Sequence, residues 1–205
     1  MITIKIIAGS TRPGRFNSQV ASWVHEQTKA VLSDYPEEDF KAELVDLVEI
    51  DLPMYDEAMP AQAQQYEHPH TKKWANIIGE ADGFVIVSPE YNHSITGALK
   101  NAIDYFYAEW NHKPVTFVSY GSEAGGSRAV EHLRAVAGEL RMYDLRDQLL
   151  LPSYWNRLDE NGAYQFSEQE QVTLTKQLND LIFWSGQMKQ ARTELVHPAT
   201  ADSAK

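Results

Sequence analysis

Three short segments concentrate the residue types that hold small anionic and planar ligands. The first is Gly9-Ser10-Thr11-Arg12-Pro13-Gly14-Arg15-Phe16-Asn17-Ser18. It offers hydroxyls at Ser10, Thr11 and Ser18, an amide at Asn17, guanidiniums at Arg12 and Arg15, and backbone N–H groups. At a helix N-terminus, such a set suits a phosphate dianion, because N–H donors, helix dipole and charge-assisted bonds all favour an anion there. Each charged hydrogen bond would contribute roughly 1.5–3 kcal/mol. Turn and cap chemistry alone would account for the Ser, Thr, Pro and Gly. It leaves unexplained two arginines at the helix end where the dipole disfavours cations. An anionic ligand removes that conflict.

The kind of phosphate follows by elimination. No Gly-Lys-Ser/Thr follows the loop, so it is not a nucleoside-triphosphate loop of that type. Only Gly9 and Gly14 are present, so it is not a Gly-x-Gly-x-x-Gly dinucleotide fingerprint. The chain has no cysteine, so it is not a cysteine-phosphatase loop. A phosphomonoester such as that of FMN fits a hydroxyl-rich loop with arginines.

The second segment is Ser88-Pro89-Glu90-Tyr91-Asn92-His93-Ser94. Pro89 stiffens the turn, and Tyr91 and Asn92 offer a flat surface and an amide to a planar heterocycle. The third is Ser119-Tyr120-Gly121-Ser122-Glu123-Ala124-Gly125-Gly126-Ser127, whose glycines let backbone approach a ligand closely. Each could also be an ordinary surface turn. What raises them above that is where the elements put them.

Apolar runs and helical patterns alternate from the first residue. Ile2–Ala8 reads as a buried strand closed by Gly9. Helical spacing follows at Phe16, Val20, Trp23, Val24 and Val31, with Asn17 or Ser18 as N-cap. Glu43–Leu47, Phe84–Val87, Val115–Val118 and a run holding Leu149–Leu151 read as strands two to five. Helices are expected around Trp74–Ala81, Ile95–Phe106 with Ser94 as N-cap, Ala129–Leu140 and Leu174–Ile182. This alternation predicts an α/β fold with a doubly wound, flavodoxin-like five-stranded parallel sheet, order 2-1-3-4-5, and helices on both faces. Ligands of such sheets sit beyond the carboxyl ends of the strands, where strand order reverses. In that order strands 1, 3 and 4 are neighbours, so the three segments would meet at one edge. The long connection from Val48 to about Pro69 is of a length that is usually functional or mobile. One domain over residues 1–192 is expected, with a polar tail at 193–205.

Composition narrows the partners. The chain has 205 residues, with 18 Lys+Arg against 29 Asp+Glu and a net charge of −11. That balance argues against a duplex nucleic-acid binder and against anchoring to an acidic membrane. The absence of cysteine excludes disulfides, a Cys nucleophile, Cys-ligated zinc and Cys-held iron–sulfur clusters. Residues 1–8 lack the long apolar stretch of a signal peptide, so a soluble cytoplasmic protein is the expectation. The acids are unevenly placed. Residues 1–25, which include the first segment, have none, nor does the stretch from Trp110 to Ser122. Within the three segments the acids are Glu90 and, just past that stretch, Glu123.

These residues resemble the NADPH-dependent FMN reductase family, which includes bacterial chromate and quinone reductases and azoreductases. The likeness rests on Gly9-Ser10-Thr11-Arg12 with Asn17-Ser18, on Pro89-Glu90-Tyr91-Asn92 followed by Gly97-Ala98-Leu99-Lys100-Asn101-Ala102-Ile103-Asp104, on Gly125-Gly126-Ser127-Arg128, and on Leu52-Pro53-Met54-Tyr55. It covers about residues 2–150. It implies non-covalent FMN, NADPH or NADH as hydride donor, and a homodimer or homotetramer. Carried over, Ser10, Arg12, Phe16, Asn17 and Ser18 would hold the phosphate and ribityl chain, with Arg15 near the phosphate. Pro89, Glu90, Tyr91 and Asn92 would border the isoalloxazine, and Ser119, Tyr120 and Gly121 would cover its far edge.

The expected activity is therefore hydride transfer from NAD(P)H through FMN to a small-molecule acceptor, a quinone, azo compound, flavin or chromate, by a ping-pong route. Cofactor chemistry needs no protein nucleophile, in keeping with the lack of a triad or carboxylate dyad. The rival is a flavodoxin-like electron carrier, or a flavin-binding regulator, without turnover of its own. Its acidic surface would suit basic partners. Tyr105, Tyr107 and Trp110 fall partly off the helical stripe and are expected at a dimer contact beside the site.

Overall fold

A computed structural model describes residues 1–36 and 38–196. Five parallel strands form one sheet in the order β2-β1-β3-β4-β5, as the alternation predicts. They are β1 (Ile2–Ala8), β2 (Phe40–Asp46), β3 (Gly83–Pro89), β4 (Pro114–Gly121) and β5 (Tyr143–Pro152). The helices are α1 (Asn17–Leu32), the one-turn α2 (Leu47–Ile50), α3 (Pro69–Gly79), α4 (Gly97–Asp104), α5 (Ser127–Glu139) and α6 (Glu168–Val196). Among the described residues no helix is long and apolar enough to cross a membrane.

The inner strands are nearly continuous apolar runs because both of their faces are covered. On one face Ile4, Ile6, Val85, Val87, Val118 and Tyr120 pack against α1 and α6. On the other, Ile7, Phe84, Ile86, Val115 and Phe117 pack against α3, α4 and α5. Each such side chain stabilises the fold by roughly 1.5–3 kcal/mol relative to exposure.

Several boundaries move. β2 starts at Phe40 and ends at Asp46, and Leu47 opens α2, because the Asp46 carboxylate accepts from Val48 N–H at 3.0 Å and caps that turn. β5 runs from Tyr143, well before the leucine run. Neither Asn17 nor Ser18 is the N-cap of α1. Phe16 holds that position and makes no side-chain cap bond. Nor does Ser94 cap α4. Thr96 does, accepting from Leu99 N–H at 3.0 Å while donating its own proton to Gly9 O at 2.5 Å. α6 continues past residue 192 to Val196, and 197–205 lie outside the described residues. The long connection contains α2 and a short 3-10 turn at Ala61–Ala63.

The expected aromatic interface is also corrected. Tyr105 and Trp110 are fully buried within this chain. Tyr105 donates its hydroxyl to Pro53 O at 3.0 Å, and Trp110 donates Nε1–H to Ile103 O at 3.1 Å with its ring 5.0 Å from that of Phe84. Tyr107 packs against the same core and is partly covered. These rings complete a monomer core, so they say nothing of assembly.

Candidate functional site

The sheet register brings the three segments together. Ala8 is level with Val87, Ser88 with Ser119, and Pro89 with Tyr120. Gly9 N–H donates to Val87 O at 2.9 Å, and Glu90 N–H donates to Tyr120 O at 3.0 Å, so the loops leave the sheet as a bonded row. Gly9 is needed for close approach, since a Cβ there would lie 2.9 Å from the Leu99 side chain and 3.0 Å from Val87 O.

In the first loop the buried groups build the cradle and the exposed groups face out. Asn17 is fully buried. Its Oδ1 accepts from Ser10 N–H at 3.3 Å and its Nδ2 donates to Val87 O at 3.0 Å. Ser10 is buried, with Oγ accepting from Arg12 N–H at 3.5 Å. Phe16 is buried against Tyr154, with the rings stacked at 4.2 Å and 3°, and meets Tyr120 edge-on at 5.2 Å. Thr11, Arg12 and Ser18 are exposed. Ser18 Oγ donates to Arg15 O at 3.2 Å. The Arg12 guanidinium has no hydrogen-bond or ion-pair partner among the described residues.

Arg15 departs from expectation. Its Nη2 pairs with Asp46 at the end of β2, and its buried Nε has no partner. Asp46, remote in sequence, supplies the counter-charge that an anionic ligand was expected to supply. Among the described residues Arg12 is thus the arginine at this helix end left without a counter-charge. The fit to a phosphate survives on other grounds. The first turn of α1 has no side-chain cap and no acid, and while Gln19 and Val20 N–H donate to Phe16 O, the N–H groups of Asn17 and Ser18 have no partner among the described residues.

The second segment is a tight turn. Tyr91 and Ser94 exchange backbone bonds at 2.8 and 2.9 Å, and Asn92 and His93 take positive φ values of 49° and 65°. That hydrogen-bonded turn fixes the exposed Tyr91 and Asn92 at the edge. Pro89 is buried as the last residue of β3. Glu90 does not turn its carboxylate to the edge. It accepts from Arg128 Nε at 2.6 Å and Arg128 N–H at 3.2 Å, clamping the turn to the start of α5. The side chains of Ser119 and Tyr120 are likewise buried. Ser119 is fully buried and donates to Gly125 O at 3.0 Å, and the Tyr120 ring lies in the aromatic cluster with Phe16 and Tyr154. Gly121 alone of the three reaches the edge, half-buried. Gly126, at φ 88°, passes so close that a Cβ would sit 2.7 Å from that of Ser119.

The Tyr120 phenol marks where these parts converge. Burial pushes its pKa up, Asn17 pulls it down, Tyr91 and Tyr154 raise it, and Arg12 lowers it. The Tyr120 ring meets Phe16 of the first loop and Tyr154 after β5, so these two segments share one aromatic cluster.

A cavity of about 290 Å³ lies beside Thr11, between α2 and α4, and is lined by Val48, Asp51, Leu52 and Asn101 among others. A larger groove of about 920 Å³ runs along the outer edge of β5, where Arg134 donates to Leu145 O and Arg146 O at 2.9 Å. It covers an open strand edge and lies away from the three loops.

Sequence reading missed four supports. Thr96 ties α4 to Gly9. Asn101 holds Pro53 O and Tyr55 N–H at 2.8 and 2.9 Å. Arg128 neutralises Glu90. Tyr154 and Trp155, in a 3-10 turn after β5, reach the edge because Ser153 N–H donates to Gly121 O and Ser122 O at 2.9 and 3.1 Å. An aromatic pair just beyond a strand's carboxyl end was the available signal for the last.

Residues 2–156 match the family model for NADPH-dependent FMN reductase. The chain belongs to that family. It is 43% identical over 141 residues to an NAD(P)H-dependent FMN reductase of Schizosaccharomyces pombe, covering 68% of this chain and 67% of that one. It is 33% identical over 137 residues to a quinone reductase of Pseudomonas putida, covering 63% and 66%. Among solved structures it is similar in fold to the flavoenzyme NAD(P)H:(acceptor) oxidoreductase FerB of Paracoccus denitrificans. The TM-score is 0.68 at 18% identity, over 92% of this chain and 99% of that one. The protein is thus an NAD(P)H-dependent reductase with a flavodoxin-like fold.

Proposed function

We propose that the protein binds FMN without a covalent bond and uses NAD(P)H to reduce a planar small-molecule acceptor, of which quinones are the best fit. The observation that carries the reading is the uncapped, acid-free N-terminus of α1 beside Arg12, whose guanidinium has no partner among the described residues, at the edge where β1, β3 and β4 end. When bound, FMN supplies two-electron chemistry, accepting a hydride from NAD(P)H and delivering two electrons to the acceptor. The balance is NAD(P)H, one proton and a quinone giving NAD(P)+ and a hydroquinone.

The chain's own residues position and enclose. Arg12, Thr11 and the first N–H groups of α1 hold the phosphate. Asn17 and Ser10 act behind them by fixing the loop to β3. Tyr91 and Asn92 border the ring, on a turn held by the Glu90–Arg128 clamp. Arg15 supports the loop through Asp46 rather than through the ligand. No side chain is asked to act as nucleophile.

The visible absorption spectrum of the purified protein tests the cofactor, with flavin bands expected directly or after reconstitution with FMN. Steady-state NAD(P)H oxidation with benzoquinone tests turnover. A protein that takes up no FMN overturns the reading. A flavin-loaded protein reduced only when a separate reductase is added makes it an electron carrier instead.

A further inference from the structure

Trp155 is half exposed, at 50%. A large ring left in water gives up much of the burial it could have had. Five Phe, Trp or Tyr rings are a third or more exposed among the described residues: Tyr35, Tyr91, Tyr143, Trp155 and Phe183. Tyr35 precedes β2, Tyr143 opens β5, and Phe183 lies on α6. Only Tyr91 and Trp155 stand at the carboxyl edge of the sheet. Tyr91 belongs to the second turn. Among the described residues the Trp155 ring has one aromatic neighbour, Tyr154, met edge-on at 5.4 Å.

The segment that carries it is firmly held. Ser153 N–H is bonded to Gly121 O and Ser122 O, and Tyr154 stacks on Phe16. Further along, Gln19 on α1 donates to Gly162 O at 2.8 Å and accepts from Tyr164 N–H at 3.1 Å. Arg157 is paired with Glu170 at the start of α6. A mobile loop can expose a tryptophan by default. A segment fixed at both ends presents one in a set orientation, and a pre-oriented ring binds with less ordering cost.

We infer that Trp155 is a specificity-determining residue, forming an aromatic wall of the acceptor subsite that selects planar aromatic acceptors over small inorganic ones. The inference rests on the reductase reading above. Stacking on an indole favours a flat π-system such as a naphthoquinone. It offers nothing to ferricyanide, which needs electron transfer but no stacking partner.

The test compares wild type, Trp155→Ala and Trp155→Tyr, all loaded with FMN. NAD(P)H oxidation is measured with a naphthoquinone and with ferricyanide, and binding of 2-naphthol, a planar ring that is not reduced, is measured by calorimetry. For Trp155→Ala, KM for the naphthoquinone should rise at least fivefold with kcat within twofold, ferricyanide turnover should stay within twofold, and naphthol should bind at least fivefold more weakly. Trp155→Tyr should recover most of the loss. Unchanged KM and unchanged naphthol binding overturn the inference, as does a parallel fall in ferricyanide turnover in a protein of unaltered Tm. If wild type oxidises NAD(P)H with neither acceptor, the reductase reading fails. The naphthol titration still decides whether Trp155 binds planar rings.

Discussion

At the amino ends of the strands, charged side chains meet partners on every side. Asp82, just before β3, accepts from Thr3 N–H at 3.0 Å, Lys189 Nζ at 2.8 Å and Arg192 Nη2 at 2.5 Å. Lys113, just before β4, donates to Ile78 O and Gly79 O at 2.8 and 3.0 Å. Lys5, buried within β1, pairs with Glu43 at 2.7 Å. At the carboxyl ends, Arg15 and Arg128 are likewise matched to Asp46 and Glu90, but Arg12 is matched to nothing among the described residues. The same residue types thus do two jobs. Where each charge is matched by a counter-charge or by backbone carbonyls the ends are closed, and where one is left over beside open helix N–H groups an anion can enter. Net charge does not reveal this. Only the pairing does.

The largest effect should come from breaking the closed end. Asp82 is 4% exposed, and its removal strands two cations and a backbone donor. Breaking a buried pair of this kind costs about 3–5 kcal/mol. Asp82→Ala should therefore lower Tm by roughly 10 °C in a chain of this length. FMN affinity of the folded fraction should hold within twofold. A matching loss of FMN affinity would show that the two ends are not independent.

At the open end the order of effects reverses. Arg12→Ala should raise the FMN dissociation constant about tenfold to a hundredfold, the worth of one charge-assisted bond, about 1.5–3 kcal/mol. The Tm of the FMN-free protein should not change. Arg15→Ala should do the opposite, lowering Tm by releasing Asp46 with a smaller effect on FMN. Fluorescence titration of FMN and thermal melts of both variants separate the two. If Arg15→Ala strips the flavin and Arg12→Ala does not, the assignment is reversed.

A pH series sharpens the closed end. Burial lowers the Lys113 ammonium to about 7, well below its ordinary 10.5, with Arg192 adding to the fall and Asp82 opposing it. Between those values the unfolded chain binds more protons than the folded one. Stability therefore rises with pH across that window, by up to about 1.4 kcal/mol per pH unit. In Lys113→Met that rise should disappear, as read by urea unfolding at pH 7, 8 and 9. An identical slope in the variant would mean that Lys113 keeps its charge when folded.

Strands β1, β3 and β4 were legible because strands covered on both faces read as unbroken apolar runs. Edge strands β2 and β5 were legible only in their second halves, since Phe40–Lys41 and Tyr143–Arg146 mix polar and apolar residues. The three loops were legible as site loops because their place follows from strand order. The direction of their side chains was not. Arg15, Glu90 and Tyr120 are turned by Asp46, Arg128 and Tyr154, each about 30 or more residues away in sequence. Tyr105 and Trp110 misled for a related reason. α4 ends at Asp104, and beyond a helix end the 3.6-residue period no longer says which way a ring faces.

The smallest expected effect separates motif membership from site membership. Lys100 and Asp104 both lie in the stretch Gly97–Asp104 that most resembles the family. Yet both are about half exposed, and their 2.6 Å pair spans one turn of α4 on the solvent side. Pairs of this kind contribute about 0.3–0.5 kcal/mol. Lys100→Ala should change stability by no more than that and leave FMN affinity untouched. Asn101, the next residue, is buried and bonded to Pro53 and Tyr55, so Asn101→Ala should free the segment that walls the cavity beside Thr11. Losing its two bonds should cost about 1–3 kcal/mol. Urea unfolding of the two variants side by side tests the contrast. Equal losses would mean that the motif acts as a unit, and unequal losses that position on the helix face decides what each residue does.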